Sequence, residues 1–208
     1  MKQQLTYLAL GDSYTIGELV TAGENFPNQV CSILNQHGYS MSPPRIIATT
    51  GWTTGELKLG IKATNAEAPL PKTYDFVSLL IGVNNQYRGY SQKEYSIDFE
   101  SLLKDALKFA ANNKNRIVVL SIPDWGATPF AKDRNRKLIS NEIDDYNKIN
   151  ETITQKMGIQ YIYITDWTRE AATDLSLLTT DGLHPSGKEY KRWAEKVADY
   201  FLLQFNTK

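Results

Sequence analysis

The stretch LTYLALGDSYTIG, at residues 5–17, decides the fold. Its first six residues, Leu5 to Leu10, form an apolar run of strand length, which is typical of a β-strand that is covered on both faces. Gly11, Asp12 and Ser13 follow at once, and residues of these types favour a turn over a continued strand. The stretch therefore predicts a buried strand that ends in a turn, as the first part of an α/β unit.

Outward from this stretch, four more runs rich in aliphatic and aromatic residues have strand length. The five predicted strands are Leu5 to Leu10, Arg45 to Ala48, Phe76 to Ile81, Ile117 to Ile122 and Ile159 to Ile164. Helical periodicity fills segments between and after them. The predicted helices are about Asn25 to His37, Gly55 to Thr64, Ser91 to Asn113, Ser140 to Met157 and Ser186 to Phe205. This alternation predicts the α/β class, as a three-layer α/β/α sandwich around a five-stranded parallel sheet with right-handed crossovers.

Two of the predicted helices begin with a pair of residues that favours a capping box. Ser91 lies three residues before Glu94, and Ser186 lies three residues before Glu189. In a capping box the hydroxyl bonds the backbone N–H of the third helical residue, while the Glu carboxylate bonds back to the N–H of the cap. Both pairs therefore predict where a helix begins.

The size and charge balance of the chain exclude several kinds of protein. Its 208 residues contain no internal repeat or linker-like segment, which predicts a single domain over residues 1–208. The 23 basic side chains balance 23 acidic ones, so the chain lacks the basic excess that is typical of nucleic-acid-binding proteins. Two histidines and one cysteine are too few for a closed zinc site, and we predict neither a metal nor a cofactor.

The cysteine content and the lengths of the apolar runs indicate in which compartment of the cell the protein acts. The single cysteine, Cys31, excludes an intramolecular disulfide and fits a reducing compartment; it lies in a helical pattern and is interpreted as a buried structural thiol. The run from Leu5 to Leu10 is too short for the core of a signal peptide, and no run is long enough to span a bilayer. We predict a cytoplasmic protein without integral membrane association.

Polar residues and glycines follow the predicted strands and precede the last predicted helix. Ser13 follows the first strand, Gly51 the second and Asn84 the third, while Asp181 and His184 lie shortly before the last helix. In an open α/β sheet ligands bind outside the carboxyl ends of the strands, so we expect these residues to meet at one edge. Taken singly, each is typical of a turn or a helix cap; the combination indicates a catalytic site.

A serine, an imidazole and a carboxylate together favour nucleophilic catalysis. Ser13 needs a neighbouring base that takes its proton, and the imidazole of His184 is the kind of side chain that most often does so. Asp181 precedes His184 by three residues, a spacing that lets a tight loop bring the carboxylate to Nδ1. His37, the other histidine, lies at the predicted end of a helix before Gly38, and we interpret it as structural.

The same residues follow the order of the four sequence blocks of the SGNH hydrolase superfamily, which contains the GDSL-type esterases and lipases. The sequence resembles that family at Gly11-Asp12-Ser13, Gly51, Asn84 in Gly-Val-Asn, and Asp181-x-x-His184. The resemblance implies a flavodoxin-like SGNH fold. It also implies an oxyanion hole built from the N–H groups of Ser13 and Gly51 and the side-chain amide of Asn84. The sequence departs from the family pattern at Asn85, where Asp is common, and at Tyr14, where the nickname motif has Leu.

The implied activity is that of a serine esterase or acylhydrolase, which cleaves a small or medium acyl ester through an acyl-serine intermediate. A carbohydrate O-deacetylase and a lysophospholipase or thioesterase are alternatives within the family. A non-catalytic ligand-binding module on a flavodoxin-like fold, including a binder of phosphate or nucleotide, is the alternative from another class.

Aromatic residues in the loops after the strands are candidates for a substrate pocket. Trp52, Tyr87 and Trp125 are the predicted substrate-binding residues, and Arg88 and Trp167 lie in similar positions. Packing inside the protein is the competing interpretation of all five. A further hypothesis is that residues 123–139 form a movable edge of the site.

Overall fold

A computed structural model of the chain describes residues 4–205. Its sheet has five parallel strands in the order β2-β1-β3-β4-β5. The strands are β1 (Tyr7–Gly11), β2 (Arg45–Ala48), β3 (Phe76–Leu80), β4 (Ile117–Leu120) and β5 (Gln160–Ile162). Every residue of β1, β3 and β4 is buried, as the apolar runs predict. The five predicted strands and the parallel sheet are confirmed.

Eight α-helices lie within the described residues. They are α1 (Ser13–Ile16), α2 (Phe26–Gln36), α3 (Thr54–Glu67), α4 (Val83–Tyr87), α5 (Gln92–Phe109), α6 (Arg136–Lys156), α7 (Thr165–Arg169) and α8 (Gly187–Phe205). The five predicted helices are α2, α3, α5, α6 and α8. The short helices α1, α4 and α7 were not predicted. None of the helices in residues 4–205 is both long and apolar enough to cross a membrane.

Strands β4 and β5 each end two residues before their predicted ends, Ile122 and Ile164. The N–H of Ile122 donates to Asn147 Oδ1 at 2.8 Å, and the N–H of Ile164 donates to Ser121 Oγ at 2.8 Å. Buried side chains therefore take the backbone donors that a longer strand would use. The predicted ends were wrong because these partners lie far away in the sequence.

One of the two predicted capping boxes is present. Ser91 and Glu94 form the box at the start of α5. The predicted box at α8 is wrong, because the N–H of Ser186 donates to a loop carbonyl instead. Glu189 is buried, and its carboxylate accepts a hydrogen bond from Trp193 Nε1 at 2.8 Å. The acidic side chain therefore serves the packing of α8 rather than its cap.

The helices form layers on the two faces of the sheet. α2 packs against α8, and α5 packs against both α3 and α6. The chain turns from β1 to β2 on one side and then crosses to β3, β4 and β5 on the other. With right-handed crossovers, this reversal puts α2 on the face opposite α3, α5 and α6. The result is the predicted α/β/α sandwich.

The strand order also determines where a ligand can bind. The order 2-1-3-4-5 is that of flavodoxin-like sheets, whose ligand crevice lies outside the carboxyl ends of β1 and β3, where the direction reverses. Ser13 follows β1, and Asn84 follows β3 in α4. The fold therefore brings both residues to this crevice.

Candidate active site

Ser13 lies at a sharp turn between β1 and α1. The strand ends at Gly11, Asp12 caps the helix, and Ser13 is the first helical residue. The Asp12 side chain accepts a hydrogen bond from the Tyr14 N–H at 3.0 Å, which closes the turn. A side chain at position 11 would collide with Thr15 and with a carbonyl of β3, so the turn requires glycine there. Ser13 is thereby held at the carboxyl end of the sheet.

His184 connects Ser13 to Asp181 through the two nitrogens of its ring. Nε2 lies 3.0 Å from Ser13 Oγ, and Nδ1 lies 2.6 Å from Asp181 Oδ2. Because a carboxylate only accepts hydrogen bonds, Nδ1 carries the proton, and Nε2 accepts from the Ser13 hydroxyl. The structure thus brings the three residues of the predicted triad together, in the order that proton transfer from the serine requires.

The second carboxylate oxygen of Asp181 is fully used by its own loop. Oδ1 accepts hydrogen bonds from the N–H groups of Leu183 and His184, at 2.9 and 3.0 Å, and from Thr179 Oγ1 at 2.8 Å. Burial by itself would raise the pKa of Asp181. The hydrogen bonds from the His184 ring and from these donors outweigh it and lower the pKa below its usual range, so the carboxylate stays ionised.

Asn84 and Gly51 border the same pocket as Ser13. Asn84 Nδ2 donates to Trp52 O at 3.0 Å and, over a longer 3.3 Å, to Asp12 Oδ2. Gly51 has a φ of 83°, in the left-handed region that favours glycine. The two residues predicted as oxyanion donors beside Ser13 therefore line one cavity with it.

The pKa of Asp12 is raised to about 7 because its carboxyl group is fully buried. Hydrogen bonds from the Tyr14 N–H and the Asn84 amide offset only part of this effect. An aspartate in the unfolded chain titrates near pH 4, so the folded protein binds this proton more tightly than the unfolded chain does. The contribution of Asp12 to stability is complete below about pH 4 and is lost as the pH rises through about 7.

We therefore expect the free energy of unfolding of the wild type to fall more steeply between pH 4 and 7 than that of Asp12→Asn. The side chain at position 12 of this variant does not titrate. Urea denaturation at a series of pH values measures both. Parallel curves for the two proteins would contradict the assignment of a raised pKa to Asp12.

The pocket in front of Ser13 has a volume of about 180 Å³ and an aromatic wall. Tyr87, Trp125 and Phe130 form this wall, with ring centroids 5.2 to 6.5 Å apart. The complete lining is Ser13, Tyr14, Thr50, Gly51, Val83, Asn84, Tyr87, Trp125, Phe130, Leu183 and His184. It contains no Asp, Glu, Lys or Arg side chain, so the cavity suits an uncharged, apolar group.

Hydrogen bonds hold the wall in place. Trp125 Nε1 donates to Gln86 Oε1 at 2.7 Å, and Gln86 Nε2 donates to Glu142 Oε2 at 2.7 Å. Arg136 donates to the carbonyls of Gly126 and Ala127, at 2.7 and 2.6 Å. These bonds argue against the hypothesis that residues 123–139 form a movable edge, because opening would break several of them at once.

The sequence profile of the GDSL-like Lipase/Acylhydrolase family matches residues 9–192. The chain belongs to this family. The matched range contains Ser13, Gly51, Asn84, Asp181 and His184, and membership makes the chain an ester-hydrolysing enzyme. A search of curated proteins finds no match of significance.

Solved structures of GDSL-type esterases share the fold over nearly the whole chain. A psychrotrophic esterase from Pseudoalteromonas sp. has 17% identity and a TM-score of 0.69, over 97% of this chain and 99% of that chain. A lipase/acylhydrolase from Enterococcus faecalis has 18% identity and a TM-score of 0.70, over 96% and 94%. An acetylxylan esterase from Geobacillus stearothermophilus has 18% identity and a TM-score of 0.67, over 95% and 94%. The predicted SGNH hydrolase fold is confirmed.

The two departures from the GDSL family pattern have structural explanations. Asn85 is buried and exchanges two hydrogen bonds with Thr54: its Oδ1 accepts from the N–H at 3.0 Å, and its Nδ2 donates to Oγ1 at 2.8 Å. An amide can both accept and donate, so Asn85 supports the loop without a charge. The Tyr14 ring packs beside the His184 ring, with centroids 5.1 Å apart, and lines the pocket.

Two of the three predicted substrate-binding residues line the pocket, namely Tyr87 and Trp125. Trp52 does not, because its ring packs on α3 at Gly60, where any side chain would collide with it. Trp167 lies under Arg192, with the guanidinium 5.0 Å from the ring. Phe130, which was not predicted as a pocket residue, lies in the same predicted loop as Trp125.

The remaining histidine and the cysteine lie away from the pocket. His37 follows α2, where its Nδ1 donates to Ile33 O at 2.9 Å, and Gly38 follows with a φ of 84°. Cys31 is buried in α2. Both positions agree with the structural interpretation from the sequence.

Proposed function

We propose that this chain is a serine esterase that hydrolyses a small or medium acyl ester through an acyl-serine intermediate. Ser13 is the nucleophile, His184 is the general base and then the general acid, and Asp181 orients His184. One observation carries the proposal: an unbroken chain of hydrogen bonds runs from Asp181 through the imidazole to Ser13 Oγ, at 2.6 and 3.0 Å. Serine is a weak nucleophile unless such a base accepts its proton.

The reaction has two steps in this proposal. Ser13 Oγ attacks the ester carbonyl carbon while its proton passes to His184 Nε2, and collapse of the tetrahedral intermediate expels the alcohol, which takes that proton. Water then attacks the acyl-serine, His184 again accepts and returns a proton, and the carboxylic acid leaves. The ionised Asp181 stabilises the imidazolium in both steps without being protonated itself.

The negative charge of the tetrahedral intermediate requires donors that are already in place. The backbone N–H groups of Ser13 and Gly51 and the Asn84 amide fill this role in the proposal. The position of all three residues in the lining of one pocket supports it. The Asn84 amide hydrogen that points to Asp12 is the one that would donate to the oxyanion. Its bond to Asp12, at 3.3 Å, is longer than the Asn84 bond to Trp52 O, at 3.0 Å.

The pocket sets the size of the group that the ester carries. An apolar cavity of about 150 Å³ is large enough for a benzene ring. The volume of about 180 Å³ therefore suits an acyl group of roughly six carbons, and the uncharged aromatic wall favours a hydrocarbon over a charged group.

We further propose that the whole chain is one domain and acts in the cytoplasm, where the single buried Cys31 stays reduced.

The esterase from Pseudoalteromonas sp. was solved in a state inhibited by monoethylphosphonate. Phosphonates resemble the tetrahedral intermediate of ester hydrolysis and react with an activated serine. We propose that Ser13 reacts in the same manner.

Acyl-chain length tests the proposed function directly. We expect kcat/KM for p-nitrophenyl esters to rise at least about tenfold from acetate to hexanoate, because each buried methylene contributes about 0.8 kcal/mol. Octanoate should give a kcat/KM little above that of hexanoate.

Phe130 lines the pocket and is about half exposed. Phe130→Ala should therefore lower the rate with hexanoate about tenfold and leave the rate with acetate nearly unchanged.

Leu138→Ala is the matched control, since Leu138 is an exposed apolar residue of α6 outside the pocket lining. It should behave as the wild type on every ester. A wild type that prefers acetate, with no effect of Phe130→Ala, would contradict the assignment of a six-carbon acyl group and would favour an O-deacetylase.

A further inference from the structure

The helix α4 is bonded to residues 51–56, here called the Gly51 segment. Asn84 Nδ2 donates to Trp52 O at 3.0 Å. Asn85 exchanges its two hydrogen bonds, at 3.0 and 2.8 Å, with Thr54 of the same segment. The two parts of the chain that carry the proposed side-chain and backbone oxyanion donors are therefore joined at two successive residues of α4.

Arg88, which follows α4 as its C-cap residue, makes the bond that reaches Gly51 itself. Its Nη2 donates to the Gly51 carbonyl at 2.6 Å, while Nη1 donates to both carboxylate oxygens of Glu56, at 3.0 and 3.2 Å. Glu56 is held in turn by its capping box with Thr53 at the start of α3. A planar guanidinium with several donors can hold both partners in one fixed arrangement.

Gly51 needs such a restraint more than another residue would. Glycine adopts positive and negative φ with similar ease, and the φ of Gly51 is 83°. Because Gly51 has no Cβ, hydrogen bonds to the peptide groups on either side of it are an important restraint on rotation about this residue, among them the bond from the Trp52 N–H to Thr49 O at 3.2 Å. An oxyanion hole works because its donors point to the charge before the charge develops. A bond that holds the Gly51 carbonyl therefore also limits the directions that the Gly51 N–H can take.

We propose that Arg88 is a positioning residue of the oxyanion hole, which it serves by holding Gly51 through its carbonyl; this proposal rests on the function proposed above. Arg88 is not among the residues that line the pocket, so it acts through Gly51 rather than on the substrate. The side chains of Arg88 and Glu56 are 39% and 40% exposed, and exposed ion pairs contribute little to the free energy of unfolding. Loss of Arg88 should therefore lower catalysis far more than stability.

The first part of the test compares Arg88→Met, Arg88→Lys and the control Arg45→Met with the wild type on p-nitrophenyl hexanoate. Arg45 is an exposed arginine at the start of β2, at the other end of the sheet from Ser13. Arg88→Met should lower kcat between about tenfold and a hundredfold with little change in KM or in Tm, since one misplaced oxyanion donor has an effect of this order. Arg88→Lys should restore only part of the kcat lost in Arg88→Met. Its ammonium can still donate a hydrogen bond, but it lacks the planar fork of donors of a guanidinium.

The second part needs no substrate and measures the ¹⁵N order parameter of the Gly51 N–H by NMR relaxation. The wild-type value should be near that of rigid backbone, about 0.85, and the value in Arg88→Met should fall below about 0.6. An unchanged order parameter overturns the proposal, and so does a kcat of Arg88→Met within about threefold of that of the wild type or of Arg45→Met. A wild type that hydrolyses no ester would instead overturn the proposed function, and the order parameter would then decide the role of Arg88 by itself.

Discussion

Replacing Ser13 by alanine is expected to lower kcat/KM on p-nitrophenyl hexanoate by about 10⁴-fold or more. The hydroxyl is the only group of Ser13 that reaches His184, with Oγ 3.0 Å from Nε2, so alanine removes the nucleophile and leaves the turn intact. His184→Ala should cost a similar factor, because an unassisted serine hydroxyl does not ionise near neutral pH. The double variant should be no worse than either single one, since the two residues act as a unit.

His37→Ala provides the matched control, because His37 is the other histidine and lies at the end of α2. It should keep kcat/KM within about threefold of the wild type. A Ser13→Ala protein that retains more than about a hundredth of the wild-type activity, with an unchanged circular dichroism spectrum, would show that another residue is the nucleophile.

Asp181→Asn is expected to lower kcat/KM by about 10⁴-fold while the fold is kept, an effect of the size seen when a triad carboxylate becomes an amide. Oδ1 of Asp181 accepts from two N–H groups and one hydroxyl, so in the variant the amide oxygen must take this side. The amide nitrogen then faces His184 Nδ1 and donates to it. The imidazole proton moves to Nε2, which can no longer accept from the Ser13 hydroxyl.

Asp174→Asn is the control for this change. Asp174 also accepts from a backbone N–H two residues later, but its second carboxylate oxygen accepts from Lys188 at 3.0 Å instead of from a histidine. It should keep nearly full activity. Equal losses in the two variants would mean that Asp181 supports its loop without directing the tautomer of His184. The ¹⁵N shifts of the His184 ring would show the same result independently.

The sheet was predictable because β1, β3 and β4 are nearly continuous apolar runs. The shorter β2 also has the same bounds, Arg45 to Ala48, in the sequence prediction and in the structure. The ends of β4 and β5 were not, since Asn147 and Ser121 take backbone donors from far away in the sequence. The start of α3 carried a signal that was missed. Thr53 and Glu56 form a capping box there, and α3 begins at Thr54, one residue before the predicted start at Gly55.

The meeting of Ser13, Gly51 and Asn84 was predictable because each follows a strand, and a parallel sheet brings the carboxyl ends of its strands to one edge. Asp181 and His184 lie in a loop before α8, and the resemblance to the family blocks was what placed them there. The pocket wall was predictable only in part: Tyr87 and Trp125 line the pocket as predicted, but the rest depends on the direction in which each loop side chain points. Trp52 turns away to cover Gly60, and a glycine in the middle of a helix was the one sign that a ring packs there. Phe130 turns toward the pocket beside Trp125, which no local pattern indicates.

The central claim is that Ser13 is an activated nucleophile, and covalent labelling with a fluorophosphonate tests it most directly. Mass spectrometry of the digested protein should find one phosphonyl group per chain, on the peptide that contains Ser13. His184→Ala should react at least about a hundredfold more slowly, and Ser13→Ala should not react. A folded wild-type protein that takes up no label, or takes it up on another residue, would contradict the account.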